Sequence, residues 1–415
     1  MHLNKVRYNN IIIKKLRLNV LELGILFNEQ TCERCGTCLE QCPFLRLPIE
    51  SAKKEIIKMI ETRKSRKIIK NCGSCSYCNV VCPTESNPYD LIREIRLRNY
   101  SENGVRCIPL ISEEIPHNLM KIGLEIETEK KKRDLTVYEN PPNSDKMFYI
   151  GCGIPYCFPD LAKSELFREL PLLGGMKYCC SGYIYSYFGQ DEARIKGLEL
   201  REKFKSLGVE KLITFCPGCD AMIKGVYPSI IDDFNVEGQT IIDYLIEKYH
   251  KGDLTIKNKN TQRITFQDPC PWRSLDKKIY DGPREFLEII GAEVVEMKHN
   301  KKQSLCCGAP LIVSNPKLAS KIANERTMEA VEVNAEIIAH ICTGCLARLS
   351  SPASEKNIKS YYITELAQMA IGESPSFKII ENGQKLQKQI KKTIIKNPKV
   401  LTKRYFATNG KLHLK

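Results

Sequence analysis

Eight of the 20 cysteines stand in two blocks of identical spacing. The first holds Cys32, Cys35, Cys38 and Cys42, with Pro43 following; the second holds Cys72, Cys75, Cys78 and Cys82, with Pro83 following. Both read C-x2-C-x2-C-x3-C-P. Three thiolates two residues apart let a short loop wrap one face of an iron–sulfur cube, while the fourth, steered away by proline, reaches a second cube. The spacing therefore assigns Cys32, Cys35, Cys38 and Cys82 to one cubane [4Fe–4S] cluster, and Cys72, Cys75, Cys78 and Cys42 to another. Zinc prefers separated C-x2-C pairs, and two complete copies of the tighter run argue against it.

Ten further cysteines form an internal repeat. Copy one presents Cys152, the adjacent pair Cys179 and Cys180, then Cys216 and Cys219. Copy two presents Cys270, Cys306 and Cys307, then Cys342 and Cys345. Two adjacent cysteines close an ordinary tetrahedral site poorly but can bridge irons of an irregular multi-iron cluster; buried structural cysteines plus a zinc site are the alternative. Short β-branched and aromatic runs precede Cys152, Cys216, Cys270 and Cys342, as strands do. Helical patterns lie between, over residues 192–207 and 317–333. Alternating strands and helices predict α/β layers around parallel sheets, with these cysteines at the C-terminal strand ends where such sheets place ligand sites. Residues 49–69 read as a helix connecting the two cubane blocks. Tyr183, Tyr185 and Tyr187 alternate as one face of a strand would.

The fold class expected is thus α+β multidomain: a mostly α two-cluster ferredoxin-like domain followed by a tandem α/β repeat. The divisions are a leader (1–30), the two-cluster domain (31–100), a linker (101–145) with Pro141 and Pro142 breaking structure, two cysteine-rich domains (146–255 and 256–370) and a basic tail (371–415). A chain this long with clustered cysteines points to metal rather than a disulfide scaffold. No apolar run reaches the roughly 18–20 residues of a membrane span, and the head lacks a signal-peptide pattern, so a cytoplasmic, reducing location is expected. The net charge is +15, and residues 376–415 carry 11 Lys/Arg against Glu381, a net of +10. That segment reads as a solvated tail, or as a dock for an anionic membrane surface or acidic partner subunit. No nucleic-acid motif accompanies it, and no nucleic-acid partner is expected.

The doubled C…CCG…C-x2-C pattern behind a two-cluster domain resembles the cysteine-rich CCG proteins. These include the fused catalytic (D-type) subunit of heterodisulfide reductase and the iron–sulfur subunits of anaerobic glycerol-3-phosphate dehydrogenase and glycolate oxidase. The resemblance covers about residues 30–370. It implies one or two noncubane [4Fe–4S] clusters beside the cubane pair, the first on Cys152, Cys179, Cys180, Cys216 and Cys219, the second on Cys270, Cys306, Cys307, Cys342 and Cys345. It implies an iron–sulfur electron-transfer subunit in which electrons pass from the cubanes to the noncubane clusters for disulfide reduction, with Cys306 and Cys307 holding the substrate-binding cluster. The alternative is a non-catalytic relay for a flavin-dependent glycerol-3-phosphate, glycolate or lactate dehydrogenase feeding a membrane quinone or cytochrome. Partners would be a flavoprotein dehydrogenase or a b-type cytochrome membrane subunit, with the chain peripheral on the inner membrane face. Three departures stand out. Ser181 replaces the glycine of the first CCG, and Gly182 is expected to take over its backbone role. Cys157 is an extra thiol that could substitute for Cys152. Pro271 and Trp272 stand after Cys270 where the family often has a histidine that could handle protons. Cys107 reads as a free thiol, and His299 and His340 as ordinary surface or core histidines.

Overall fold

The computed structural model describes residues 26–127, 129–312 and 314–414. Most of the expected leader, residues 1–25, lies outside them. The first cysteine blocks sit in loops braced by helices. Between them the connecting segment is two helices, Ile49–Thr62 (α1) and Arg66–Asn71 (α2). Arg63 takes a left-handed turn (φ 52°) and Ser65 caps α2 by accepting from the Ile68 amide at 3.1 Å. A serine cap ends one helix and starts another, which the apolar periodicity alone does not reveal. Ala52, Ile56, Met59 and Ile60 of α1 pack with Leu91, Ile92 and Ile95 of α3 (Pro88–Asn103).

The repeat folds as two equivalent halves. Strands β1 (Lys146–Gly151), β2 (Leu172–Gly174), β3 (Lys211–Thr214) and β4 (Glu237–Thr240) form a parallel sheet in the order β2-β1-β3-β4. Strands β5 (Arg263–Phe266), β6 (Glu293–Val294), β7 (Ile337–His340) and β8 (Lys359–Tyr362) form the second, β6-β5-β7-β8. All partners run parallel. Helices Gln190–Ser206 (α4) and Pro316–Glu332 (α5) are the crossovers that parallel strands require. One apolar core joins the halves: Phe148, Ile154 and Phe215 of the first pack with Phe266, Trp272, Ile341, Leu346 and Tyr362 of the second.

Three segments differ from the sequence expectations. The stretch read as a linker carries helices Leu119–Leu124 and Glu129–Glu139 and buries Val105, Cys107, Ile108, Leu110 and Ile115. Tyr183, Tyr185 and Tyr187 lie on a helix, Gly182–Phe188, not a strand. Tyr183 and Tyr187, one helical turn apart, meet the 105–115 cluster, while Arg93 stacks 4.1 Å from the Tyr185 ring centroid. The basic segment is folded as well. Helix Ile379–Lys396 (α6) is followed by an antiparallel hairpin, β9 (Tyr405–Thr408) and β10 (Lys411–Leu414), and Val400 and Tyr405 are buried against Val105 and Cys107. Apolar residues spaced among the lysines give the segment something to bury, and tertiary packing overrides its polar composition. Among the described residues no helix is long and apolar enough to cross a membrane.

Candidate metal centres

In both N-terminal loops the residues flanking the second cysteine turn left-handed: Arg34 and Gly36 (φ 54° and 82°) around Cys35, Ser74 and Ser76 (both φ 54°) around Cys75. Alternating left- and right-handed residues curl the chain and aim successive amides inward, an arrangement that holds anions. The Ser74 amide donates to Cys72 Sγ at 3.4 Å, and Thr37 and Thr84 hydroxyls lie 3.3 and 3.6 Å from the sulfurs of Cys35 and Cys82.

The cysteines gather in crossed fashion. Burial first, then the charges of Cys82, Cys32 and Cys35, pushes the Cys38 thiol up to about 12. Burial, then Cys75 and Cys72, pushes Cys42 up to about 12. Cys82 thus sits with the first block and Cys42 with the second. Cys78 is driven well up by burial and then by Cys75, Cys72, Cys38 and Cys42, so the two sets adjoin at Cys38 and Cys78. Thiols raised by burial and by one another ionise only when a cation enters among them, which is what iron supplies.

Each repeat half arranges its five cysteines identically. The thiols neighbour one another in the order Cys152, Cys179, Cys180, Cys219, Cys216 in the first. The order is Cys270, Cys306, Cys307, Cys345, Cys342 in the second. In the second row the neighbouring thiols of Cys306 and Cys345 push that of Cys307 down to about 6, while both of them are driven up. Every leading cysteine follows a strand end: Cys152 after β1, Cys216 after β3, Cys270 after β5 and Cys342 after β7. Five thiols in a row, two of them adjacent in the chain, suit a polynuclear group better than the closed tetrahedron of one zinc ion.

Three departures resolve structurally. Ser181 itself takes the left-handed turn (φ 53°), as Gly308 does (φ 85°); Gly182 has an ordinary φ, so the expected transfer of that role does not occur. A Cβ on Gly308 would stand 2.8 Å from the Ala319 carbonyl oxygen, whereas Ser181 carries its own and its hydroxyl donates to the Cys179 carbonyl at 3.4 Å. Cys157 lies outside the row: its sulfur faces Gly123, and burial, then Glu127, pushes it up to about 12. Trp272 is buried, and its indole N–H donates to Asp220 Oδ2 at 2.8 Å, across the two halves. Cys107 is buried with its thiol toward the carbonyls of Val400 and His117. His299 bonds Glu329 at 2.7 Å. His340 is fully buried in β7 with no hydrogen-bond partner on either ring nitrogen among the described residues.

The four sets form a single file. Cys75 and Cys306 share one apolar cluster with Phe44, Tyr77, Leu311 and Ile322, against which Cys42 and Cys270 pack. Arg273 clamps this junction, donating to the carbonyls of Cys75, Ser304 and Lys302, the last at 2.9 Å. At the other end of copy two, the Cys342 thiol feels that of Cys216 in copy one. Sequence reasoning missed Arg273, Tyr362 and the Arg284–Asp268 pair (2.8 Å) that anchors the loop before Cys270. The Asp268-Pro269-Cys270 sequence was a signal for the last; the other two act only through contacts remote in the chain.

A protein of this build is an iron–sulfur electron carrier, with a two-cluster domain ahead of paired cysteine-rich α/β halves. Family comparison agrees: a 4Fe-4S dicluster domain matches residues 24–89, and the cysteine-rich domain, CCG, matches residues 160–224 and 264–350. Over 367 residues the chain is 27% identical to one component of the fumarate reductase (CoM/CoB) of Methanothermobacter marburgensis, covering 82% of this chain and 72% of that protein. It is 24% identical to the D-type component of the dihydromethanophenazine:CoB–CoM heterodisulfide reductase of Methanosarcina barkeri (85% of this chain, 96% of that one). It is equally 24% identical to the EtfAB:quinone oxidoreductase of Syntrophomonas wolfei, where it covers 82% of itself but 46% of the relative. Among solved structures, a hypothetical protein from Helicobacter pylori shares the fold, with a TM-score of 0.50, 13% identity, and coverage of 81% of this chain and 68% of that one.

Proposed function

We propose that the chain relays electrons along its file of cysteine sets and that the paired CCG rows form the reactive end, where a disulfide is reduced. When bound, four iron–sulfur clusters would supply one-electron carriers. Cys32, Cys35, Cys38 and Cys82 would hold the first, and Cys72, Cys75, Cys78 and Cys42 the second. The row ending in Cys342 and Cys345 would hold the third, and the row ending in Cys216 and Cys219 the fourth. The observation that carries the reading is a succession of packed junctions: Cys38 and Cys78 share one apolar cluster, Cys75 and Cys306 share another, and Gly153, beside Cys152, packs on Thr343, beside Cys342. The protein's own work is to keep these sulfurs dry and fixed. A flavoprotein or b-type cytochrome would exchange electrons with the chain, as expected of one member of a redox complex.

A second reading, a relay without its own disulfide chemistry, is favoured by one observation: Pro271 and Trp272 follow Cys270 where the family's imidazole would handle protons, and the Trp272 indole is committed to Asp220. Oxidised protein, purified anaerobically and checked for iron and sulfide, separates the two. Under the disulfide reading, candidate thiols induce a new paramagnetic signal, which Cys307→Ala removes while both N-terminal clusters still accept electrons from an artificial donor. Identical spectra with and without thiols leave the relay reading standing.

A further inference from the structure

Tyr362 ends β8, opposite His340 in register, and is fully buried in the core between the two repeat halves. A buried phenol hydroxyl costs stability unless it is hydrogen-bonded, and this one has two acceptors. It lies 2.7 Å from the carbonyl oxygen of Ile341 and also donates to the carbonyl of Phe215. Its single proton is shared between them in a three-centre bond. Both acceptors occupy the same place in the repeat: Phe215 immediately precedes Cys216, and Ile341 immediately precedes Cys342. One hydroxyl therefore bridges the two strand ends from which both C-x2-C loops leave.

Among the described residues the repeat supplies this bridge only once. At the equivalent register of the first half stands Thr240, opposite Thr214, and its hydroxyl caps the next helix by accepting from the Asp243 amide at 3.0 Å. The halves approach closely around the bridge: a Cβ on Gly153, next to Cys152, would meet Thr343 Oγ1, next to Cys342, at 2.9 Å.

The geometry points to Tyr362 as the positioning residue that sets the spacing of the two CCG sites and links them through one hydrogen-bonded path, Phe215 carbonyl to phenol to Ile341 carbonyl. This rests on the reading that both rows hold clusters. Tyr362→Phe removes the hydroxyl and keeps the ring. Tyr361→Phe is the control, since Tyr361 is half-buried with its ring against Phe377.

The full chain, purified anaerobically, is assayed for iron and sulfide and then for the magnetic interaction between its CCG sites. The expected result is wild-type iron content in both variants, a weakened interaction in Tyr362→Phe and an unchanged one in Tyr361→Phe. An unchanged interaction in fully loaded Tyr362→Phe overturns the proposal. If Tyr362→Phe does not fold, a fluorinated tyrosine at position 362, a stronger donor of the same shape, must strengthen the interaction, and no change there overturns the proposal equally. If wild-type iron accounts for the N-terminal sets alone, the functional reading fails and the bridge remains testable. Cys216 and Cys342 are then free, and a short bifunctional thiol reagent must join them more slowly in Tyr362→Phe than in wild type; equal rates overturn it.

Discussion

Ser181 and Gly308 occupy equivalent turns but under different constraints. Gly308 leaves no room for a side chain, because the Ala319 carbonyl stands 2.8 Å from where a Cβ would be. At Ser181 a Cβ is already accommodated, and the cost is backbone strain, partly offset by the hydroxyl's bond to the Cys179 carbonyl. A left-handed residue with a Cβ costs roughly 1–2 kcal/mol, and glycine returns about half of that gain as chain entropy. Glycine also loses the hydroxyl's bond to the Cys179 carbonyl, worth about 0.5–1.5 kcal/mol, so Ser181→Gly should leave stability within about 1 kcal/mol of wild type, whereas Gly308→Ser should lower it by roughly 2–3 kcal/mol. Urea midpoints read both, and equal losses in the two variants would refute the distinction. His340 supports a pH prediction. Burial, then Arg326, lowers its ionisation from 6.5 to about 3. The unfolded chain therefore binds a proton that the folded chain refuses, so stability is full above 6.5 and falls as pH drops toward 3. The slope from this residue is about 1.4 kcal/mol per pH unit. His340→Thr, which installs the residue found at the equivalent place, Thr214, should flatten the curve between pH 7.5 and 5.5; an unchanged slope would place the titration elsewhere.

At the scale of elements, the C-terminal segment is structural. Composition reads it as solvated, yet Val400 and Tyr405 close the cluster formed by Val105, Cys107, Ile108 and Leu110. The Tyr405 amide and carbonyl also pair with Val105 at 2.8 and 2.9 Å. Deleting residues 376–415 should therefore expose this cluster, and proteolysis should then cut first within 105–125. A deletion variant as protease-resistant as wild type would return the segment to the status of an appendage. Tyr183 and Tyr187 make the same point: they touch this cluster because they lie a helical turn apart, so losing the tail should also loosen the helix that follows Cys180.

For the whole molecule, folding the segment leaves its charge on the surface. Lys388, Lys391, Lys392, Lys396 and Lys399 are exposed along and after α6, together with Ile395. If this face docks on anionic lipid, binding to phosphatidylserine vesicles should fall steeply with salt, because exposed charges are screened within about 8 Å at physiological ionic strength. Changing Lys388, Lys391, Lys392 and Lys396 to Gln should abolish it while leaving the clusters and the 105–115 core intact. Vesicle binding that survives these changes would rule the face out.

What the sequence determined by itself was the chemistry and its local carriers. Thiolate spacing is a short-range property: C-x2-C-x2-C fixes how tightly a loop can curl, and the alternation of apolar runs fixes which residues end strands. For that reason the repeat, its parallel sheets and the strand-end cysteines were all legible in advance. The single file of the four sets was not, because the approach of Cys75 to Cys306 joins residues 231 positions apart, through packing of Phe44 and Tyr77 on Leu311 and Ile322. Nor was the role of Tyr362, whose hydroxyl has meaning only once two similar halves face each other. Local spacing limits what a loop can hold; burial of apolar surface between distant segments decides which loops meet, and only the folded chain displays that.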